Sequence, residues 1–266
     1  MIITDIPSVD LSKYKRLVVF GCSFTNYRWS TWADLLSAEM PQAEYINVGR
    51  SGAGNQFIFT QINQYLNLNK LGQDDLVIVL WSSFFREDRY IHGKHENWMT
   101  PGNIYTQSEY DDQFVENYVC NRGMAIRDLA LIDSTNKIFH NAEFDSISSL
   151  SIPPDLQTHY CGGHGEDTEA LADVYEAYAH VTDHMVSDLM ACFPEGWTME
   201  YSYTDADGNE YGDYHPSVMG YLDYLRTLGF NISPRVLEQA KKEHEFMLSV
   251  TSIFQLNYEY STPVLL

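Results

Sequence analysis

Residues Leu76-Val77-Ile78-Val79-Leu80 form an unbroken apolar run between the polar Asp75 and the pair Ser82-Ser83. Asp75–Trp81 is too short for an ordinary helix and rich in β-branched residues, so it reads as a fully buried strand. Around it the chain alternates. Arg16–Phe20 is a short apolar strand ended by Gly21, and Trp29–Met40 carries Trp29, Trp32, Leu35 and Leu36 at helical spacing before Pro41. Glu44–Val48 reads as a second strand closed by Gly49, and Asn55–Leu68 as a helix with Phe57, Ile58, Ile62, Tyr65 and Leu66 on one face. Strand–helix alternation of this kind predicts parallel strands joined by helical crossovers, with ligands at the carboxyl ends of the strands.

The rest of the chain extends the pattern. Residues 92–110 are polar and contain Gly93, Pro101 and Gly102, which predicts a long loop. A helix over 112–134 and a fourth strand at Lys137–Asn141 follow, and then a Ser-, Pro- and Gly-rich loop over 146–165. A helix over 167–192 leads to a last strand at Trp197–Tyr203, and Pro216–Leu228 is a helix stopped by Gly229. The expectation is one α/β domain over residues 1–230 with five parallel strands and two loop insertions. Residues 231–266 add an amphipathic helix at Ser233–Leu248 and an aromatic tail. That tail packs on the same domain, or meets a second copy of the chain or a virion partner.

Composition narrows the function. Of 266 residues, 37 are acidic and 16 basic, a formal charge of −21, which repels phosphate backbones and anionic lipid heads. Nucleic acid and membrane are therefore not expected partners. No basic segment followed by an apolar run opens the chain, and Cys22, Cys120, Cys161 and Cys192 show no paired spacing. Both features point to a cytoplasmic protein with reduced thiols, and a virion component released by lysis would look the same.

Two short stretches carry the chemistry. Gly21-Cys22-Ser23-Phe24-Thr25 places a serine just past the first strand, and Asp213-Tyr214-His215-Pro216 supplies an imidazole with a carboxylate two residues before it. A serine hydroxyl is a weak nucleophile until a base takes its proton, and a carboxylate fixes the tautomer of that base. Gly-x-Ser alone suits a helix cap equally well, and His-Pro alone suits a helix entry. Their joint occurrence on one α/β sheet favours a Ser23–His215–Asp213 triad.

With these residues the chain resembles the SGNH (GDSL-like) hydrolase superfamily. The resemblance implies a three-layer α/β/α flavodoxin-like fold and a serine esterase without a cofactor or metal. Gly21-Cys22-Ser23-Phe24 resembles the first family block, which makes Ser23 the nucleophile and its N–H an oxyanion donor. Asn47-Val48-Gly49-Arg50-Ser51-Gly52 resembles the second, which implies Gly52 N–H as the next donor and Gly49 as the shaper of the turn. Asp213-x-His215-Pro216 resembles the last block, although the family places its acid three residues before the histidine, where this chain has Gly212. The third block's oxyanion asparagine has no counterpart in Trp81-Ser82-Ser83-Phe84-Phe85-Arg86. Ser83, Arg86 and Asn55 are the candidates for its place. Many family members act on acylated carbohydrate, so a small-molecule or carbohydrate ester is the expected substrate.

A non-catalytic SGNH-like module, structural or glycan-binding and carried by a virus particle, stays open beside the esterase. The opening block also resembles SGNH-like proteins of viruses and marine bacteria. His180 and His184 have metal-ligand spacing but no second matching pair, and suit a solvated helix face. His159 and His164 flank Cys161 in a glycine-rich loop, and Asp205 and Asp207 fit a turn.

Overall fold

A computed structural model describes residues 1–92, 97–105, 109–154, 157, 171–192, 201–204, 208–250 and 256. In chain order its elements are β1 (Arg16–Phe20), α1 (Trp32–Glu39), β2 (Glu44–Asn47), α2 (Asn55–Leu68), β3 (Asp75–Trp81), β4 (Arg89–Ile91) and β5 (Asn97–Met99). Then follow α3 (Asp112–Tyr118), α4 (Asn121–His140), β6 (Asp145–Leu150), α5 (Ala172–Ala177) and α6 (Ala179–Thr182). The chain closes with β7 (Tyr201–Thr204), β8 (Glu210–Asp213), α7 (Val218–Thr227) and α8 (Pro234–Ser249).

The main sheet has the order β2-β1-β3-β6, all parallel, with Phe20 opposite Val79 and Trp81 opposite Leu150. This is the flavodoxin-like order, in which the chain reverses direction across the sheet beside β1. Side chains alternate across the pleat and divide the core in two. Val18, Phe20, Val77, Val79 and Trp81 pack with residues of α2, α4, α5 and α6 on one face. Leu17, Val19, Leu76, Ile78, Leu80 and Ile147 pack with residues of α1, α7 and α8 on the other. The result is the three-layer arrangement.

The sheet has four strands among the described residues, not five, and its fourth is not Lys137–Asn141. Those residues lie at the end of α4, where Phe139 is buried against Phe144. The strand is the serine-rich Asp145–Leu150, expected to be loop. Two of its three buried serines find polar company: Trp81 Nε1 donates to Ser148 Oγ at 2.9 Å, and Ser149 Oγ donates to Ser187 O at 2.8 Å, while Ser146 Oγ has no partner among the described residues. The edge of β6 is covered by the first residues of the chain, with Ile2 bridged to Ser146 and Ile3 N donating to Ser146 O at 2.7 Å. Of the strand expected at Trp197–Tyr203, residues 197–200 lie outside the described residues, and the rest falls in β7, which pairs antiparallel with β8 in a separate hairpin and not in the parallel sheet.

Two smaller departures concern insertions. The loop expected over 92–110 is in part the β4–β5 hairpin, and the helix expected over 112–134 is two helices, α3 and α4. Helix α8 is bonded to α1 and the loop before it: Glu243 accepts from Ser30 N and Ser30 Oγ at 2.8 Å each, and Glu39 accepts from Ser233 N at 2.7 Å.

Candidate active site

Ser23 leaves β1 in a tight turn closed by Thr25 N donating to Cys22 O at 3.0 Å. A Cβ at Gly21 would fall 2.0 Å from Thr25 Oγ1 and 3.0 Å from Leu80 O, so only glycine lets the turn fold against the end of β3. Ser23 is not a helix cap. Helix α1 begins at Trp32 and is capped by Thr31 in a capping box with Asp34. Ser23 is 5% exposed, and its hydroxyl makes no hydrogen bond among the described residues.

The loop after β2 is sewn to this turn. Asn26 Nδ2 donates to Gly49 O at 2.9 Å, Asn47 Nδ2 donates to Thr25 O at 2.9 Å, and Arg50 N donates to Gly21 O at 3.1 Å. Gly52 sits in this loop at φ +76°. Asp88 receives Gly54 N at 2.9 Å and Phe57 N at 2.9 Å, so a carboxylate holds the first turn of α2 and the loop before it. Burial pushes the Asp88 carboxyl up to about 6 despite those bonds.

At the end of β3, Ser83 Oγ accepts from Arg86 Nε at 3.1 Å, and Arg86 Nη1 donates to Ala53 O at 2.8 Å. Arg86 thus ties the strand end to the Gly52 loop. Asn55 is committed elsewhere. Its Nδ2 donates to Ser82 O at 3.1 Å and to Asp128 Oδ2 at 3.0 Å, its Oδ1 accepts from Ser82 N at 2.8 Å, and it is fully buried. It clamps α2 to β3 and α4, with no amide left for a ligand. Asp128, also fully buried, is pushed up to about 7 by desolvation although Arg127 Nε pairs with it at 2.7 Å.

The far end of the chain meets the Ser23 turn through aromatic residues. His215 Nδ1 lies 2.7 Å from Asp213 Oδ1, and the same oxygen accepts the His215 backbone N–H at 2.9 Å. The two-residue spacing therefore does pair acid and imidazole. The imidazole lies 5.0 Å from the Phe24 ring and is stacked on Tyr27 at 3.7 Å. Trp29 Nε1 donates to Pro216 O at 2.8 Å. Tyr27 was not among the residues singled out in the sequence, and Trp29 was read there as the start of a helix that in fact begins at Trp32.

Electrostatics at the pair fit a charged acid. Burial alone would raise the Asp213 carboxyl; the His215 hydrogen bond and charge, with the Tyr27 hydroxyl and the His215 N–H, outweigh it and hold the group below the usual carboxylate range. No hydrogen bond joins Ser23 Oγ to His215 Nε2 among the described residues.

His180 pairs with Asp133 at 3.5 Å on an exposed face, and among the described residues no group of three or more His, Cys, Asp or Glu is arranged to hold a metal. His159, Cys161, His164, Asp205 and Asp207 lie outside the described residues. No described helix is long and apolar enough to cross a membrane.

No protein-family model matches the sequence, and no curated protein matches it. Among solved structures, the chain is similar to a member of the lipolytic protein G-D-S-L family from Veillonella parvula, with 14% identity over 80% of this chain and 94% of that one, at a TM-score of 0.41. It is also similar to an alpha/beta hydrolase enzyme from the metagenome of Lake Arreo, Spain, with 15% identity over 81% of this chain and 95% of that one, at a TM-score of 0.43.

Proposed function

We propose that this chain is an SGNH-type serine esterase. The observation that carries the reading is the pairing of His215 with Asp213 at 2.7 Å, against the loop that bears Ser23. That hydroxyl comes from the opening strand and is spent neither on a helix cap nor on a neighbour, which leaves it free for chemistry.

The proposed reaction proceeds through an acyl-serine. His215 Nε2 takes the Ser23 proton as Oγ attacks the ester carbonyl, and Asp213 stabilises the imidazolium. The N–H groups of Ser23 and Gly52 receive the oxyanion, with Ser83 Oγ as the side-chain donor in place of the family's asparagine. His215 returns the proton to the leaving alcohol, the acyl–Oγ bond remains, and a water activated by the same imidazole releases the acid. An ester of a small alcohol or of a carbohydrate is the proposed substrate.

The test is hydrolysis of p-nitrophenyl acetate by the wild type and by Ser23→Ala, with mass-spectrometric location of a fluorophosphonate adduct. A Ser23-dependent rate and an adduct on Ser23 are expected. Equal background rates with no adduct would leave a binding module in its place.

A further inference from the structure

We infer that Tyr27 is the positioning residue of the Asp213–His215 pair, supplying the rigidity that the short spacing of that pair lacks; the inference rests on the esterase reading above. Asp213 Oδ1 accepts both the His215 backbone N–H and ring Nδ1. With only Tyr214 between acid and base, the chain itself holds the carboxylate close to the imidazole. Both bonds fall on one oxygen, however, so neither fixes the carboxylate plane or stops the imidazole from turning about its own side-chain bond.

Tyr27 fixes both. Its hydroxyl donates to the other oxygen, Asp213 Oδ2, at 2.5 Å, which sets the carboxylate plane. Its ring lies face to face with the imidazole, centroids 3.7 Å apart and planes 18° from parallel, which sets the imidazole plane. One side chain therefore grips the acid by a charge-assisted hydrogen bond and the base by stacking. Tyr27 is itself braced edge-on by Trp29 at 4.7 Å, and Trp29 is bonded to Pro216 O. The brace and the nucleophile stand on one loop.

The experiment compares the wild type with Tyr27→Phe, which keeps the ring and loses the hydroxyl, and Tyr27→Leu, which loses both. With p-nitrophenyl acetate, kcat is expected to fall about tenfold in the first and about 100-fold in the second with KM little changed, the scale of losing a bond to a charged group and then the orientation as well. The His215 Nδ1 proton, read by ¹H NMR without any turnover, is expected to shift in Tyr27→Phe and to broaden into exchange in Tyr27→Leu. A Tyr27→Leu enzyme with wild-type kcat, or an Nδ1 resonance unmoved in Tyr27→Phe, overturns the inference. Absence of Ser23-dependent turnover in the wild type would remove the esterase reading instead, and the NMR comparison would still judge the grip of Tyr27 on the pair. Should Tyr27→Leu fail to fold, Tyr27→Phe carries both readouts.

Discussion

Replacing Gly52 by alanine probes the proposed oxyanion loop through a single methyl group. A Cβ there would stand 2.0 Å from Thr100 O, where ordinary contact begins at 3.4 Å, so more than an ångström must open. The obstacle is a backbone atom and cannot swing aside. Thr100 Oγ1 donates to Ser51 O at 3.1 Å, Gly102 N donates to Gly52 O at 3.0 Å, and Arg50 Nη2 donates to Trp98 O at 2.7 Å, so loop and hairpin must part together. The left-handed φ adds about 1–2 kcal/mol for an L side chain, and overpacking about 1–3 kcal/mol more. Misplacing a catalytic group by about 1 Å costs about 100-fold. Gly52→Ala is therefore expected to lose about 2–5 kcal/mol in urea unfolding and about 100-fold in kcat towards p-nitrophenyl acetate. Gly72→Ala is the control, because no heavy atom lies within 4 Å of its Cβ. A Gly52→Ala enzyme of wild-type kcat and lowered stability would remove Gly52 N–H from the oxyanion site. Unchanged stability would refute the crowding itself.

Two further outcomes follow from the same geometry. Ser83→Ala is expected to reduce kcat by about 100- to 1000-fold with little change in melting temperature, the usual cost of one oxyanion donor; an unchanged rate would leave backbone N–H groups as the whole oxyanion site. Asp128, raised to about 7 in the folded state from an ordinary carboxylate value, holds its proton longer folded than unfolded. Its contribution is complete below about pH 4 and is lost as pH rises through about 7, at up to about 1.4 kcal/mol per pH unit. Asp34 and Asp88, raised to about 6 by burial, act in the same direction. Urea unfolding of the wild type is thus expected to show stability falling from pH 5 to pH 8, with a shallower fall in Asp128→Asn; parallel slopes would refute the assignment.

The fold was legible wherever apolar pattern and burial coincide. Asn55–Leu68 and Asp75–Trp81 have the predicted extents; Phe57, Ile58, Ile62 and Tyr65 of the first and the run Leu76-Val77-Ile78-Val79-Leu80 of the second are all buried. The reading failed at Asp145–Leu150, where Ser146, Ser148 and Ser149 resemble a loop. Burial of Ser148 and Ser149 is eased by specific partners, Trp81 for Ser148 and Ser187 for Ser149. Such partners are distant in sequence, so local composition cannot reveal them. Lys137–Asn141 failed for the converse reason: the final turn of a long helix shows too few residues to betray its period.

The site shows a similar division. Ser23 and the Asp-x-His segment stand out only by occurring together on one α/β sheet, since either alone suits a helix terminus. Asn55 misled because an amide near a strand end suits an oxyanion donor and a structural clamp equally, and only its three bonds to Ser82 and Asp128 decide for the clamp. The two-residue spacing of Asp213 and His215 looked like a defect against the family pattern. In three dimensions it is a different solution: one carboxylate oxygen closes on the histidine's own backbone as well as its ring. That geometry leaves the second oxygen for a partner from elsewhere, and Tyr27 takes it. The spacing and the tyrosine are then a single feature. Restoring the longer spacing would be expected to make the tyrosine's hydroxyl dispensable, which neither stretch of sequence states alone.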